Sequence, residues 1–181
     1  MSGWEDGSLD DLARQLRMGA GAEMRAEAEI VERETHLGRL RKRSLADAAR
    51  DAMHRGDLAV IEMPGRVLAG SIAYAGTDYI VIETDEHAID VRLATVVMRF
   101  DSSPEGGRRA SGGSRTLRAR LAEYEATGEP ITLVAPGVGA EVSGVVAVTA
   151  TDHLLVRRPD GSNVHVPIEA IALVIRPRPR P

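Results

Sequence analysis

Residues 65–84 read GRVLAGSIAYAGTDYIVIET. Apolar residues alternate with small or polar ones before Gly76–Thr77–Asp78, the period of two of a half-buried strand, and a short apolar run, Tyr79–Ile82, follows the turn. Gly76, Thr77 and Asp78 supply turn chemistry. The stretch therefore predicts two strands, 66–75 and 79–84, joined by a tight turn. Gly70 interrupts the first of them, and a glycine inside a strand marks a sharp bend or a close backbone approach.

The same period continues on either side. Strands are expected at 58–63, 87–93 and 95–100, with Pro64–Gly65 and Asp85–Glu86 as turns. Upstream the period becomes helical. Leu45, Ala49, Ala52 and Met53 share one helix face, Ser44 and Asp47 form a capping-box pair, and Gly56 stops the helix. Five short strands with tight connections suggest a small closed barrel.

The pattern then returns. Leu45 matches Leu117, Gly56 matches Gly128, and Pro64–Gly65 matches Pro136–Gly137, all at an offset of 72. Gly70 matches Gly144, and Thr77–Asp78–Tyr79 matches Thr151–Asp152–His153, at an offset of 74. Arg99 aligns with Arg176 at 77. The offset grows only at loops, where insertions are tolerated. A helix face at Leu117, Leu121 and Tyr124 precedes strands expected at 131–135, 138–149, 153–158, 163–168 and 171–176. Gly65 and Gly137 each follow a proline, where a type II turn calls for positive φ.

The expected fold is thus mainly β with N-terminal helices: two tandem five-stranded small β-barrels, each preceded by a short helix. Residues 1–43 form a helical arm, with helix over 9–43. The units span 44–100 and 116–176. Between them lie residues 101–115, which close on EGGRRASGGSR and have the Gly, Ser, Pro and Arg composition of a flexible linker. The tail 177–181, PRPRP, is expected to fray, because proline cannot donate to a ladder.

A short helix followed by five antiparallel strands with a strongly bent second strand resembles the Sm-like (LSm/Hfq) small barrel. The run 65–84 is similar to that family's first motif: turn glycine, apolar alternation, glycine, then a polar turn into strand three. A related SH3-like barrel reads almost the same. The Sm-like resemblance implies RNA binding, here through Arg39, Arg41, Lys42 and Arg43 and through the two Thr-Asp turns.

Composition bounds the function. The chain has 181 residues, 43% hydrophobic and 28% charged, with net charge −4 and pI near 5.8, which argues against bulk nucleic-acid binding and against DNA as a partner. Residues 56–100 carry seven acids (Asp57, Glu62, Asp78, Glu83, Asp85, Glu86, Asp90) against Arg66, Arg92 and Arg99, a net of −4. Residues 128–181 balance to zero. Basic character concentrates at Arg39–Arg43. Without cysteine there is no disulfide and no thiolate metal site. MSGWEDGSLDDLARQLR has no long apolar run, and no segment is long enough to span a bilayer, so a cytoplasmic protein without membrane association is expected.

No G-x-S-x-G elbow, phosphate-cradling loop or H-E-x-x-H motif occurs. No catalytic residue, cofactor or metal is expected. Asp85, Glu86 and His87 read as a solvated hairpin tip, and His153 and His165 as surface residues on neighbouring strands. For the repeated turn two readings stand: Asp78 and Asp152 fix their hairpins, or Thr77, Asp78, Tyr79, Thr151, Asp152 and His153 face a ligand, with Tyr79 or His153 stacking on a base or a peptide aromatic. Duplication without catalytic groups, an acidic first barrel and a helical arm together indicate a non-enzymatic protein-interaction or assembly module. Its partner is expected to be a protein, with RNA as the alternative; a homo-oligomer fits the same reading.

Overall fold

The computed structural model describes residues 29–103 and 112–177. The chain divides into two compact units, Met1–Arg43 and Ser44–Pro181. In the first, residues 29–41 are helical (α1) and carry Ile30, Val31, Leu37 and Leu40 exposed. The helix expected over 9–28 lies outside the described residues.

In the second unit α2 (Leu45–Arg55) opens on the full capping box: the Asp47 amide donates to Ser44 Oγ, and the Ser44 amide donates to the Asp47 carboxylate, both at 3.1 Å. It ends at Gly56, φ 81°. Five strands follow: β1 (Leu58–Met63), β2 (Arg66–Ala75), β3 (Tyr79–Glu83), β4 (His87–Arg92) and β5 (Val97–Asp101). Then come α3 (Leu117–Thr127), capped by Thr116, and β6 (Pro130–Ala135), β7 (Ala140–Thr149), β8 (His153–Arg157), β9 (Asn163–Pro167) and β10 (Leu173–Pro177). A 3-10 turn, Leu93–Thr95 or Ile168–Ala170, precedes the last strand of each half. Leu93 N–H donates to Asp78 O and Ile168 N–H to Asp152 O, at 2.9 and 2.8 Å. Both halves thus follow one plan, and the 3-10 turns take residues expected to be strand.

The halves match in detail. A bulge falls between Ile72 and Tyr74 in β2 and between Val146 and Val148 in β7. Gly70 and Gly144 lie against the neighbouring strand: a Cβ would come within 2.6 Å of Glu83 O and 2.3 Å of Arg157 O. That close approach, together with the bulge two residues on, bends the long strand. Gly65 has the expected positive φ of 74°, but Gly137 does not; Gly139 takes it instead, at 64°. The second loop is two residues longer and winds Pro136–Val138 into a 3-10 turn before reversing. Pairing also resets the last strand. Val97 stands opposite Glu62 and Leu173 opposite Val134, so the offset is 76, and Arg99 corresponds to Ile175 rather than to Arg176.

The expected closed barrels do not form. The ten strands make one open antiparallel sheet in the order β5-β1-β2-β3-β4-β10-β6-β7-β8-β9. Each half keeps the order fifth, first, second, third, fourth, and the fourth strand of the first half pairs with the fifth of the second. Leu173 stands opposite Val91, Val174 opposite Asp90 and Ile175 opposite Ile89. Pro177, expected to fray, ends this ladder opposite His87, where a missing N–H costs little.

The cores interlock as well. One buried cluster joins Ala49, Ala52, Ile61, Ile72 and Ile82 to Val134, Ala172 and Leu173 of the second half. The other joins Leu117, Leu121, Tyr124, Leu133, Val146 and Leu154 to Ala73, Tyr79 and Val81 of the first. The linker expected at 101–115 is shorter than its composition suggests. Asp101 belongs to β5, and Ser114 and Arg115 are hydrogen-bonded to the first half; residues 104–111 lie outside the described residues.

Candidate interaction site: the joint and its exposed counterpart

The repeated turn has one main-chain geometry and two surroundings. Gly76 N–H donates to Tyr79 O, and Ala150 N–H to His153 O, each at 2.9 Å. In the first half the side chains are taken up by the start of the second. The Asp78 carboxylate accepts from Leu117 N–H at 2.8 Å, at the first turn of α3, where unpaired amides and the helix dipole favour an anion. Thr77 donates through its amide (2.9 Å) and its hydroxyl (3.0 Å) to Arg115 O. Tyr79 OH donates to Ser114 O at 2.8 Å. Tyr79 is fully buried, and desolvation drives its phenol well above the ordinary range. Among the described residues its aromatic neighbour is Tyr74, at 5.8 Å, and its burial leaves no face for stacking on a ligand.

In the second half the same tripeptide is open. Thr151 and Asp152 are exposed and His153 is half-buried. His153 Nδ1 lies 2.7 Å from Asp152 Oδ1, and this hydrogen bond holds the Asp152 carboxyl below its usual value. Arg118 donates to Thr151 O and Ala150 O at 2.7 and 2.8 Å. The His153 and His165 rings face each other at 4.9 Å. Among the described residues no group of three or more histidines, aspartates and glutamates could hold a metal ion.

Behind the first turn the joint is sealed by a buried polar network. Asp90, on β4, has no exposed surface. Tyr124 OH donates to its Oδ2 at 2.5 Å, and Arg120 Nε does so at 3.3 Å. The Arg120 guanidinium lies 4.7 Å over the Tyr124 ring and pairs with Glu123 at 2.5 Å. Burial pushes the Asp90 carboxyl up, while the Tyr124 hydroxyl and the Arg120 and Arg176 charges pull it back. Asp90 Oδ1 has no hydrogen-bond partner. Arg92 completes the joint through Ile168 O (2.5 Å), Glu169 (3.2 Å) and its own amide to Ala172 O (2.9 Å). In the sequence Asp90 stands out only as a neighbour of the acidic hairpin tip. An acid in the apolar run HAIDVRL is the available signal, but nothing local says which face α3 covers.

Arg39, Arg41, Lys42 and Arg43 are exposed at the end of α1, within the Met1–Arg43 unit, where Lys42 N–H and Arg43 N–H close a turn on Arg39 O and Leu40 O. Glu86 and His87 are 4.0 Å apart at an exposed hairpin tip. A cleft of about 440 Å³ beside the joint is lined by His87, Thr132, Ser143, Arg157 and Arg176. Among the described residues no helix is long and apolar enough to cross a membrane. No family model matches the chain, and neither does any curated protein.

The sheet ends in two unequal edges, β5 and β9. Val97 on β5 is 70% exposed, whereas its counterpart Leu173 is fully buried in the joint. Beside β9, the face formed by Ala147, His153, Leu155 and His165 is half-buried or exposed. Its counterparts Ala73, Tyr79, Val81 and Asp90 are buried.

Proposed function

We propose that the chain is a non-enzymatic assembly module that holds protein partners at its sheet edges. Its halves act as duplicated five-stranded units that pair an edge strand with a neighbour rather than each closing on itself. The single observation that carries this reading is the joint between β4 and β10. It joins different surfaces of two like units and leaves one of each surface unpaired at the sheet ends. Unpaired edges are templates for strand addition. The polar groups that a catalytic reading would need, Asp90, Tyr124 and Arg120, are spent inside the joint.

The test is photo-crosslinking in living cells, with a crosslinker at Val97 or at His165 and a control at exposed Glu86. Protein adducts at the two edge sites that survive ribonuclease are expected. Adducts that vanish with ribonuclease would transfer the function to RNA binding. No adduct at either edge would end the reading.

A further inference from the structure

We infer that the partner at both edges is a second copy of this chain, joined head to tail by a repeat of the internal joint. This rests on the assembly reading and adds the partner's identity and the register.

The internal joint supplies the template. Carrying each paired residue to its counterpart places Val97 of one copy opposite Val166 of the next, Met98 opposite His165, and Arg99 opposite Val164. These correspond to Leu173–Val91, Val174–Asp90 and Ile175–Ile89 inside the chain. The turn carries over too. Asp78 caps α3 at Leu117 N–H, so Asp152 would accept from Leu45 N–H of the next copy.

Three exposures fit this occupant. Leu45 is 40% exposed, whereas Leu117, at the same place in the repeat, is 1% exposed because it packs with Ala73, Tyr79 and Val81 of the preceding half. Among the described residues no strand precedes Leu45 in the chain to cover it. Val97 is 70% exposed for the same reason at the strand. Asp152 is exposed and its carboxylate meets the adjacent His153, whereas Asp78 is engaged by the following helix. Each is a joint surface with its other side missing, and the missing side is present at the opposite end of every copy. Because the contact is heterologous, repeating it gives a closed ring or an open filament, not a two-fold dimer.

The experiment uses the full chain in sedimentation velocity across a concentration series. Wild type is expected to form multimers that dissociate on dilution. Val97→Lys blocks the β5 end and His165→Glu blocks the β9 end. Both residues are exposed, and each variant should be monomeric with wild-type circular dichroism. Mixed together, the two variants should form a dimer and nothing larger, since only one joint remains intact. Asp152→Ala, which keeps both edges, should weaken association about fivefold, as loss of one helix cap implies. A wild-type chain that stays monomeric at millimolar concentration overturns the inference, as does a mixture that forms no dimer. If the edge crosslinks to other proteins persist in that case, the assembly function stands and only the identity of the partner falls; if they too are absent, both fall.

Discussion

Tyr124→Phe isolates the energetics of the joint. Tyr124 is 1% exposed, and its hydroxyl donates to Asp90 Oδ2 at 2.5 Å. The substitution keeps the ring and opens almost no cavity, so its cost is the lost hydrogen bond. A bond to a charged group contributes about 1.5–3 kcal/mol, and here the carboxylate is left with Arg120 Nε alone, since Oδ1 has no partner to fall back on. A loss of about 2–3 kcal/mol is expected. In an Asp90→Asn background the acceptor is neutral, and the same substitution should cost only about 1 kcal/mol. The coupling is then roughly 1–2 kcal/mol, within the range for residues in direct contact. Urea unfolding measures all four corners of the cycle; with a slope of about 1–3 kcal/mol per molar, Tyr124→Phe should lower the midpoint by about 1 M. The pH dependence provides an independent sign. Burial raises the folded pKa of Asp90 above its ordinary value of 3.8, so the folded state takes up this proton first as pH falls. Its contribution is therefore fully present below 3.8 and is lost as pH rises through the folded value. Wild type minus Asp90→Asn must grow on acidification, even though Asp47, Glu123, Asp152 and Asp160, whose pKa values are lowered, make both proteins less stable in acid. A cost under about 0.5 kcal/mol for Tyr124→Phe, or a difference that shrinks as pH falls, would refute the reasoning.

Asp78→Ala removes the cap on Leu117 N–H across the joint and should lower stability by about 1–2 kcal/mol in urea unfolding. Leu117→Ala should cost about 2–5 kcal/mol, whereas Leu45→Ala, measured in dilute monomer, should stay within about 0.5 kcal/mol. Gly144→Ala forces a Cβ onto Arg157 O and should cost about 1–3 kcal/mol, with Gly70→Ala close behind; equal stability to wild type would mean the strand bend is not set by that contact. Limited proteolysis should nick the Gly- and Ser-rich 101–115 segment first, but the two fragments should co-elute under native conditions, because they share a strand ladder and both buried clusters.

The order of elements was legible because each is written locally. Ser44 and Asp47 cap one helix, Gly56 and Gly128 stop two, and Gly70 and Gly144 each mark a strand that the structure bends. The partner of an edge strand was not legible. HAIDVRL and IALVIR have the alternation of strands, and alternation gives a face, not a neighbour. The pairing of β4 with β10 spans more than eighty residues and is decided by which edges remain once each half has folded. The turn makes the same point at the scale of a tripeptide. Thr77–Asp78–Tyr79 is engaged because α3 follows it and Leu117 N–H donates to Asp78, whereas Thr151 and Asp152 are exposed. Asp90 was hidden for a related reason: its partners Tyr124 and Arg120 lie thirty residues and more away on α3.

At the joint the halves diverge in the chemistry of their side chains. Asp90 corresponds to His165, Tyr124 to Ala52, Arg120 to Ala48, and Arg92 to Pro167. The inner joint therefore has a buried acid, two donors and an extra backbone hydrogen bond from Arg92 N–H, which Pro167 cannot supply. Buried polar groups contribute less to net stability than well-packed apolar ones, but breaking one partner is costly, so they penalise slipped registers. A one-residue slip at β10 would bring Leu173 or Ile175 opposite Asp90 in place of Val174 and turn alternate side chains to the wrong face. The outer surfaces lack that lock, and Pro167 at the end of β9 would shorten any ladder formed there. A joint between copies on those surfaces would therefore be weaker and more readily reversed than the inner one, whose register the Asp90 contacts fix.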